Sequence, residues 1–153
     1  MSKELIHYFT QSTVAVLEME LGLEATSGDV VSLSSKCSMS DVTVLVSLVG
    51  EVQGVVMYSM GMDTALRIVS ELMFEEFEEF DELAQSGISE MGNIFSGQGV
   101  QLMEEAGFQT KISPPTLVQG PQASISTVGF GRYLVPICTD YGEIQIHLAV
   151  RQD

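Results

Sequence analysis

The chain has 153 residues, 45% of them hydrophobic, and a formal net charge of −15 with six Lys and Arg in total. A domain of this length buries roughly 70% of its unfolded surface, so one domain spanning residues 1–153 with a sizeable core is expected. So few cations exclude a nucleic-acid or anionic-membrane surface, which needs basic clusters, and no apolar run approaches the length of a membrane span, so no membrane insertion is expected.

Residues 2–21 read as a first helix. Leu5, Phe9, Val16 and Met19 or Glu20 fall near helical spacing, and Gly22 follows as a stop. Lys3 and Glu4 open directly into this amphipathic pattern rather than into a signal peptide. Cys37 and Cys138 are far apart, lack metal-ligand spacing and read as core thiols in a reducing, cytoplasmic compartment. Asp29–Leu33 is a short strand candidate. Asp41–Val49 is a strand with apolar residues on both faces at its end, which predicts a central position. Gly50-Glu51 turns the chain into its hairpin partner Val52–Met60, in which Gly54 marks a bulge or a close approach. Asp63 is placed to cap a short helix over Thr64–Met73, with Leu66, Val69 and Met73 on one side.

The run Phe74–Glu82, FEEFEEFDE, spaces three phenylalanines among six acids. One reading is a docking surface for a basic partner. The plainer one is a helix start, where acids favour the positive N-terminal end of the following helix.

Ser86–Pro115 reads as a long helix, a glycine stop and a turn into a strand. At about 100° per residue, Ala84, Ile88, Met91, Phe95, Gln98 and Leu102 point one way. Ser86, Glu90, Asn93 and Gly97 point nearly the opposite way, so a buried stripe lies behind a narrow polar one. Gly92, Gly97 and Gly99 each disfavour a helix by about 1 kcal/mol relative to Ala, which signals close approach. Gly92 and Gly99 suit packing against another helix, whereas Gly97 lies on the polar side with no packing role evident.

Four strand-like pieces follow: Lys111–Val118, Ala123–Val128, Tyr133–Cys138 and Gly142–Val150. Gly120-Pro121, Gly129 to Gly131 and Asp140 to Gly142 supply turns. Pro136 places its strand at an edge or a bulge. His147 reads as a half-buried strand residue, and with His7 remote in sequence no metal site is expected on this chain.

The sequence carries a weak internal repeat. A shift of 85 lays Leu17, Glu20, Gly22 and Leu23 on Leu102, Glu105, Gly107 and Phe108. A shift of 92 lays Gly50-Glu51-Val52-Gln53 on Gly142-Glu143-Ile144-Gln145. The duplication predicts an α+β fold: helix-strand repeats, with long helices packed on one antiparallel sheet around a pseudo-twofold. Under the shift of 85, Glu90 and Asn93 fall on Leu5 and Tyr8, so the first helix lacks the pair.

The spacing Ser86-x3-Glu90-x2-Asn93, with Gly97 one turn on and Pro114 and Pro115 21 and 22 residues after Asn93, resembles the CheC/CheX/FliY phosphatase family of bacterial chemotaxis, most nearly its CheX branch. The resemblance covers essentially the whole chain and implies a CheC-like duplicated fold with one copy of the Glu/Asn pair. It implies hydrolysis of the phosphoaspartate of a CheY-like response regulator in chemotaxis or two-component signalling. Glu90 and Asn93 are then the catalytic residues, and Ser86, Gly97, Pro114 and Pro115 are docking or supporting residues. The regulator holds the acyl phosphate, a lysine and Mg2+, so this chain itself binds no cofactor. An Asn carboxamide has both donor and acceptor atoms and can orient the attacking water. Glu90 would pair with the regulator's lysine. The proline pair would set the turn after the helix. CheX-type proteins associate as dimers through their sheets, so a homodimer is expected. The alternative is a non-catalytic module of the same fold that binds a response regulator or a flagellar switch component.

Overall fold

The structure is a computed structural model and describes residues 2–33, 36–120, 124–127 and 130–152. In chain order the elements are α1 (Ser2–Leu21), β1 (Ala25–Ser27), β2 (Val31–Leu33), β3 (Lys36–Ser38), β4 (Val42–Gly50), β5 (Val52–Met60), α2 (Met62–Met73), α3 (Glu82–Glu105), β6 (Thr110–Ile112), β7 (Thr116–Gln119), β8 (Ser124–Ser126), β9 (Arg132–Thr139) and β10 (Gly142–Gln152).

The main sheet is antiparallel in the order β1-β9-β10-β5-β4-β6, with β2 continuing along β9 and β7 along β4. Its middle is the β5–β10 pair, in register from Val52 opposite Gln152 to Met60 opposite Ile144. The shift of 92 carries Val52 to Ile144 and Met60 to Gln152, so this ladder maps onto itself and the pseudo-twofold passes through it. The duplicated α+β plan is therefore realised. β4 is interior but one strand out from the centre, where the sequence had placed it, because the centre is taken by the second strand of each repeat.

The outer strands are interrupted in equivalent places. Ser113 to Pro115, three residues, face two of β4, since Ile112 pairs with Leu48 and Thr116 with Leu45. The expected strand Lys111–Val118 is thus two strands separated by a bulge. The shift of 85 carries Gly28 to Ser113, and Gly28 to Val30 likewise bulge against Val135 and Pro136. The expected strand from Asp29 accordingly begins only at Val31. Gly28 N–H donates to Pro136 O at 2.8 Å, so Pro136 turns its nitrogen toward the bulge, where a missing ladder donor does no harm. Pro136 marks a bulge rather than an edge.

The helices α1 and α3 pack side by side on one face of the sheet. Leu5, Ile6, Phe9, Val16 and Leu17 are buried, but Met19 is 74% exposed and Glu20 is also exposed, so the expected stripe shifts to Val16 and Leu17 at its end. Gly99 makes the helix pairing close: a Cβ there would stand 2.5 Å from Phe9 Cδ1. Ser12 Oγ donates across the interface to Phe95 O at 2.8 Å. Both helices end at glycines of positive φ, Gly22 and Gly107, after which Leu23 and Phe108 donate back to Leu17 O and Met103 O.

The α2 helix starts at Met62, and its N-cap residue is Gly61, without a side-chain cap. Asp63, expected as the cap, lies inside the first turn. Asp41, from the start of β4, instead accepts the Met62 N–H at 2.9 Å, a long-range cap that local sequence does not announce.

The small β3–β8 sheet stands over the opposite face of the main sheet, where Ile125 and Phe130 share a cavity of about 260 Å³ with Leu45 and Ala149. Of the expected strand Ala123–Val128, the end residues lie outside the described residues, as do Pro121 and Gly129. Buried Arg132 reaches Ile125 O and Met39 Sδ on that face. His147, expected half-buried, is fully buried there, and neither ring nitrogen has a hydrogen-bond partner among the described residues. Cys138 is exposed rather than in the core, because alternation along β9 turns Val135 and Ile137 inward and Cys138 outward. The side chain of Cys37 lies outside the described residues.

Candidate functional site

The site is built on α3. Asp81 caps this helix, accepting the Ala84 N–H on Oδ1 at 2.9 Å, and Gln85 Nε2 donates to Phe80 O at 3.0 Å. The run Phe74–Glu82 is therefore a loop ending in a cap, and only Asp81 and Glu82 serve as acids at the helix start. Packing then sets the rotation of α3. Ala84, Ile88, Met91 and Phe95 are buried as expected, joined by Gly87, Gly92, Ser96, Gly99 and Met103. Gln98 is exposed, since the buried sector is centred toward Gly92 and Gly99 rather than toward Gln98. Gly92 approaches a strand rather than a helix: a Cβ there would stand 2.6 Å from Val44 Cγ1. Gly87 meets α2 in the same way at Val69.

With that side against the sheet, the polar stripe faces out. Ser86 and Glu90 are exposed, and Asn93 and Gly97 are half-buried. At Gly97 a Cβ would find only Ile112 Cδ1, at 4.0 Å, so this glycine has no packing role and leaves the approach to Asn93 open. A groove of about 650 Å³ runs between α3 and β7, lined on the helix side by Ser86, Ser89 and Glu90 and on the strand side by Pro115 and Leu117. Pro115 thus shares a surface with Glu90, beyond its part in the turn. Pro114 is exposed and lies outside that lining. The turn is held by Ser113, whose N–H donates to Ser47 O at 3.0 Å while its Oγ accepts the Ser47 N–H at 3.1 Å.

Sequence reasoning missed Ser89 and Leu117 as groove residues. Ser89 precedes Glu90 and sits between the buried and polar stripes, and Leu117 reaches the groove only because the bulge swings β7 alongside α3. On α1 the equivalent face is closed: Leu5 is 2% exposed, and Tyr8 packs edge-on to Phe108 at 6.5 Å.

Chemically, the stripe offers a carboxylate and a carboxamide one helical turn apart, with no nucleophile–base pair beside them among the described residues. No group of three His, Cys, Asp or Glu side chains placed to hold a metal occurs among the described residues. The perturbed groups are elsewhere. Burial holds Tyr58 far above the usual phenol range, and burial together with the neighbouring Arg132 lowers His147 to about 4, on the far side of the sheet.

A family model described as chemotaxis phosphatase CheX matches residues 42–138. A CheY-P phosphatase CheX of Thermotoga maritima is 28% identical over 152 residues, covering 99% of this chain and 98% of that protein. The CheX of a CheX–CheY–BeF3–Mg2+ complex from Borrelia burgdorferi superposes with a TM-score of 0.83 at 30% identity, covering 98% of this chain and 99% of that one. A CheX from Desulfovibrio desulfuricans gives a TM-score of 0.87 at 20% identity, covering 98% and 99%, which speaks to the fold alone.

Proposed function

The chain belongs to the chemotaxis phosphatase CheX family, and we propose that it accelerates hydrolysis of the phosphoaspartate of a CheY-like response regulator, contributing Glu90 and Asn93. The observation that supports this most is the outward polar stripe of α3. Its carboxylate and carboxamide stand on a helix braced from behind by Gly92 and Ser96, with nothing crowding Gly97. Such a helix face can be pressed against a second protein's active site without rearranging.

The regulator brings the acyl phosphate, a Mg2+ ion and a lysine. Attack by water on phosphorus in line with the aspartyl oxygen breaks the P–O bond and releases inorganic phosphate and the free carboxylate. Asn93 accepts a hydrogen bond from that water on its carbonyl oxygen and donates one from its amide, which orients the water and removes part of the entropic barrier. The same logic serves the water-orienting Gln of GTPases, where metal and phosphate supply most of the electrostatics. Glu90 pairs with the regulator's lysine and sets the helix in register. Ser86, Gly97 and Pro115 shape the contact, and Pro114 supports the turn. The reaction belongs in the cytoplasm with the regulator.

The test is to mix the protein with a CheY-like regulator phosphorylated by acetyl phosphate, in magnesium, and follow loss of phosphoaspartate. Faster loss supports the reading; tight binding with unchanged loss would make the chain a binding module instead. A homodimer joined through sheet edges completes the proposal. The exposed Val31, 46% accessible on the edge strand β2, is an apolar position such pairing would cover. Light scattering that gives a monomer mass at micromolar concentration would refute it.

A further inference from the structure

We propose that the loop joining α2 to α3 is a second docking surface for the same regulator, with Phe74 as an apolar anchor set among carboxylates. This rests on the reading above that a response regulator is the partner. Phe74 is 95% exposed, and a large aromatic held fully in water is the informative exception on a soluble protein's surface. Its backbone is left-handed, at φ 54°. The loop around it is anchored: Glu75 N–H donates to Ser70 O at 3.2 Å, Phe77 N–H to Ser70 Oγ at 3.0 Å, and Phe77 is buried in the core. Phe74 is therefore held out by a tied loop. Leu83, 47% exposed, adds a second apolar position.

The surroundings are mostly acidic, with Arg67, stacked on Tyr141, the cation that shares a groove of about 510 Å³ with Phe74, Glu71, Glu75 and Glu76. Glu75, Glu76, Glu78 and Glu79 flank the anchor, and the sequence from Ile68 to Thr110 contains no Lys, Arg or His. A groove of about 350 Å³ lies between these acids and Leu83, and Glu82, the residue before Leu83, lines the site groove. Leu83 precedes Glu90 by seven residues, roughly 10 Å along the helix. One regulator seated on Glu90 and Asn93 would reach the loop. The matching surface is a recess for an aromatic ring beside Lys or Arg near the phosphorylation pocket. Charge disfavours the other occupants: a second copy also carries −15, and nucleic acid and anionic lipid share that sign.

The experiment compares the wild type with Phe74→Ser and with the double variant Glu78→Lys/Glu79→Lys, using a CheY-like regulator phosphorylated by acetyl phosphate. We expect Phe74→Ser to raise KM about tenfold with kcat within about twofold and no loss of thermal stability, as for an interface hot spot. The charge reversal should raise KM and flatten its salt dependence. KM values within about twofold of wild type in both variants would overturn the surface, because a hot-spot aromatic is worth more than that. So would a fall in oligomeric mass on Phe74→Ser, which would make the loop a self-interface. If the wild type fails to accelerate phosphate loss, the catalytic reading falls, and titration with the beryllofluoride-loaded regulator decides the surface separately. Weaker binding by Phe74→Ser would uphold the surface, and equal binding would overturn it.

Discussion

The hydroxyl of Tyr58 lies 3.0 Å from Ser96 Oγ, and this buried pair ties α3 to the middle of the sheet. Ser96 Oγ donates its proton to Gly92 O at 2.8 Å, so Tyr58 is the donor between the two hydroxyls. The Tyr58 ring also packs against Phe95, with centroids 5.2 Å apart. Together these contacts fix the rotation of α3, and with it the outward aim of Glu90 and Asn93.

The asymmetry of that hydrogen bond orders two substitutions. Tyr58→Phe leaves Ser96 with its donor still satisfied and should destabilise the fold by about 1 kcal/mol. Ser96→Ala strands the Tyr58 hydroxyl in the core and should cost roughly 1–3 kcal/mol. The double variant should lose less than the sum. Denaturant melts of the three proteins check the order; equal losses for the two single variants would contradict the donor assignment.

Asn93→Ala should lower phosphoaspartate hydrolysis at least about 100-fold, because an unpositioned water forfeits the orientation advantage. It should raise helix stability by a few tenths of a kcal/mol and leave binding to the regulator nearly unchanged. Glu90→Ala should weaken both binding and turnover, since the lost ion pair sets register as well as affinity. Calorimetric titration beside the decay assay separates the two. Near-full activity of Asn93→Ala would remove the water-positioning role.

Two glycines five residues apart should respond in opposite ways. Gly92→Ala forces a Cβ against Val44 and should destabilise the protein by about 1–3 kcal/mol, with activity falling as α3 shifts. Gly97→Ala meets only Ile112 Cδ1, at an ordinary contact distance of 4.0 Å, and should stabilise the helix by up to about 1 kcal/mol, yet lower activity by narrowing the approach to Asn93. Melting temperature and turnover, measured on the same preparations, show whether stability and activity part company at Gly97.

His147 predicts a pH effect on stability. Burial first, and the nearby Arg132 second, lower its folded value to about 4 from the ordinary 6.5. As pH falls below about 6.5 the unfolded chain takes up the proton first, so stability declines toward pH 4 and levels off below it. The loss from this one group reaches about 3 kcal/mol at pH 4. His147→Leu should remove that decline and be no less stable at pH 7, since it relieves two unpartnered ring nitrogens. Urea melts of both proteins from pH 7 to pH 4 test it; parallel curves would place His147 in contact with water.

Much of the fold was legible because it is written in short-range pattern. The 3.6-residue period of α1 and α3, the alternation of β4 and β5, and the glycines at 22, 50, 107 and 142 mark elements whose boundaries depend on neighbours in sequence. The repeat extended this to topology, since two copies of helix-glycine-strand leave a pseudo-twofold sheet as the simplest way to bury both apolar stripes. The outward stripe of Ser86, Glu90, Asn93 and Gly97 followed from the same periodicity, because a long helix has one buried side and therefore one opposite side.

What only the tertiary structure decided concerns residues whose partners lie far along the chain. Asp41 rather than Asp63 caps α2, and the bulge at Ser113 to Pro115 brings Pro115 and Leu117 beside Glu90. His147 is buried on the face of the sheet away from the helices, beside Arg132, while Cys138 is exposed. None of this is local: a cap, a groove or a desolvated imidazole depends on which surface another element presents. By itself the sequence determined the helix that bears Glu90 and Asn93 and the side on which they stand. Packing against Val44, Phe9 and Tyr58 decided how rigidly that side is held, because close contact through glycine and a buried hydroxyl pair exists only once sheet and helices have met.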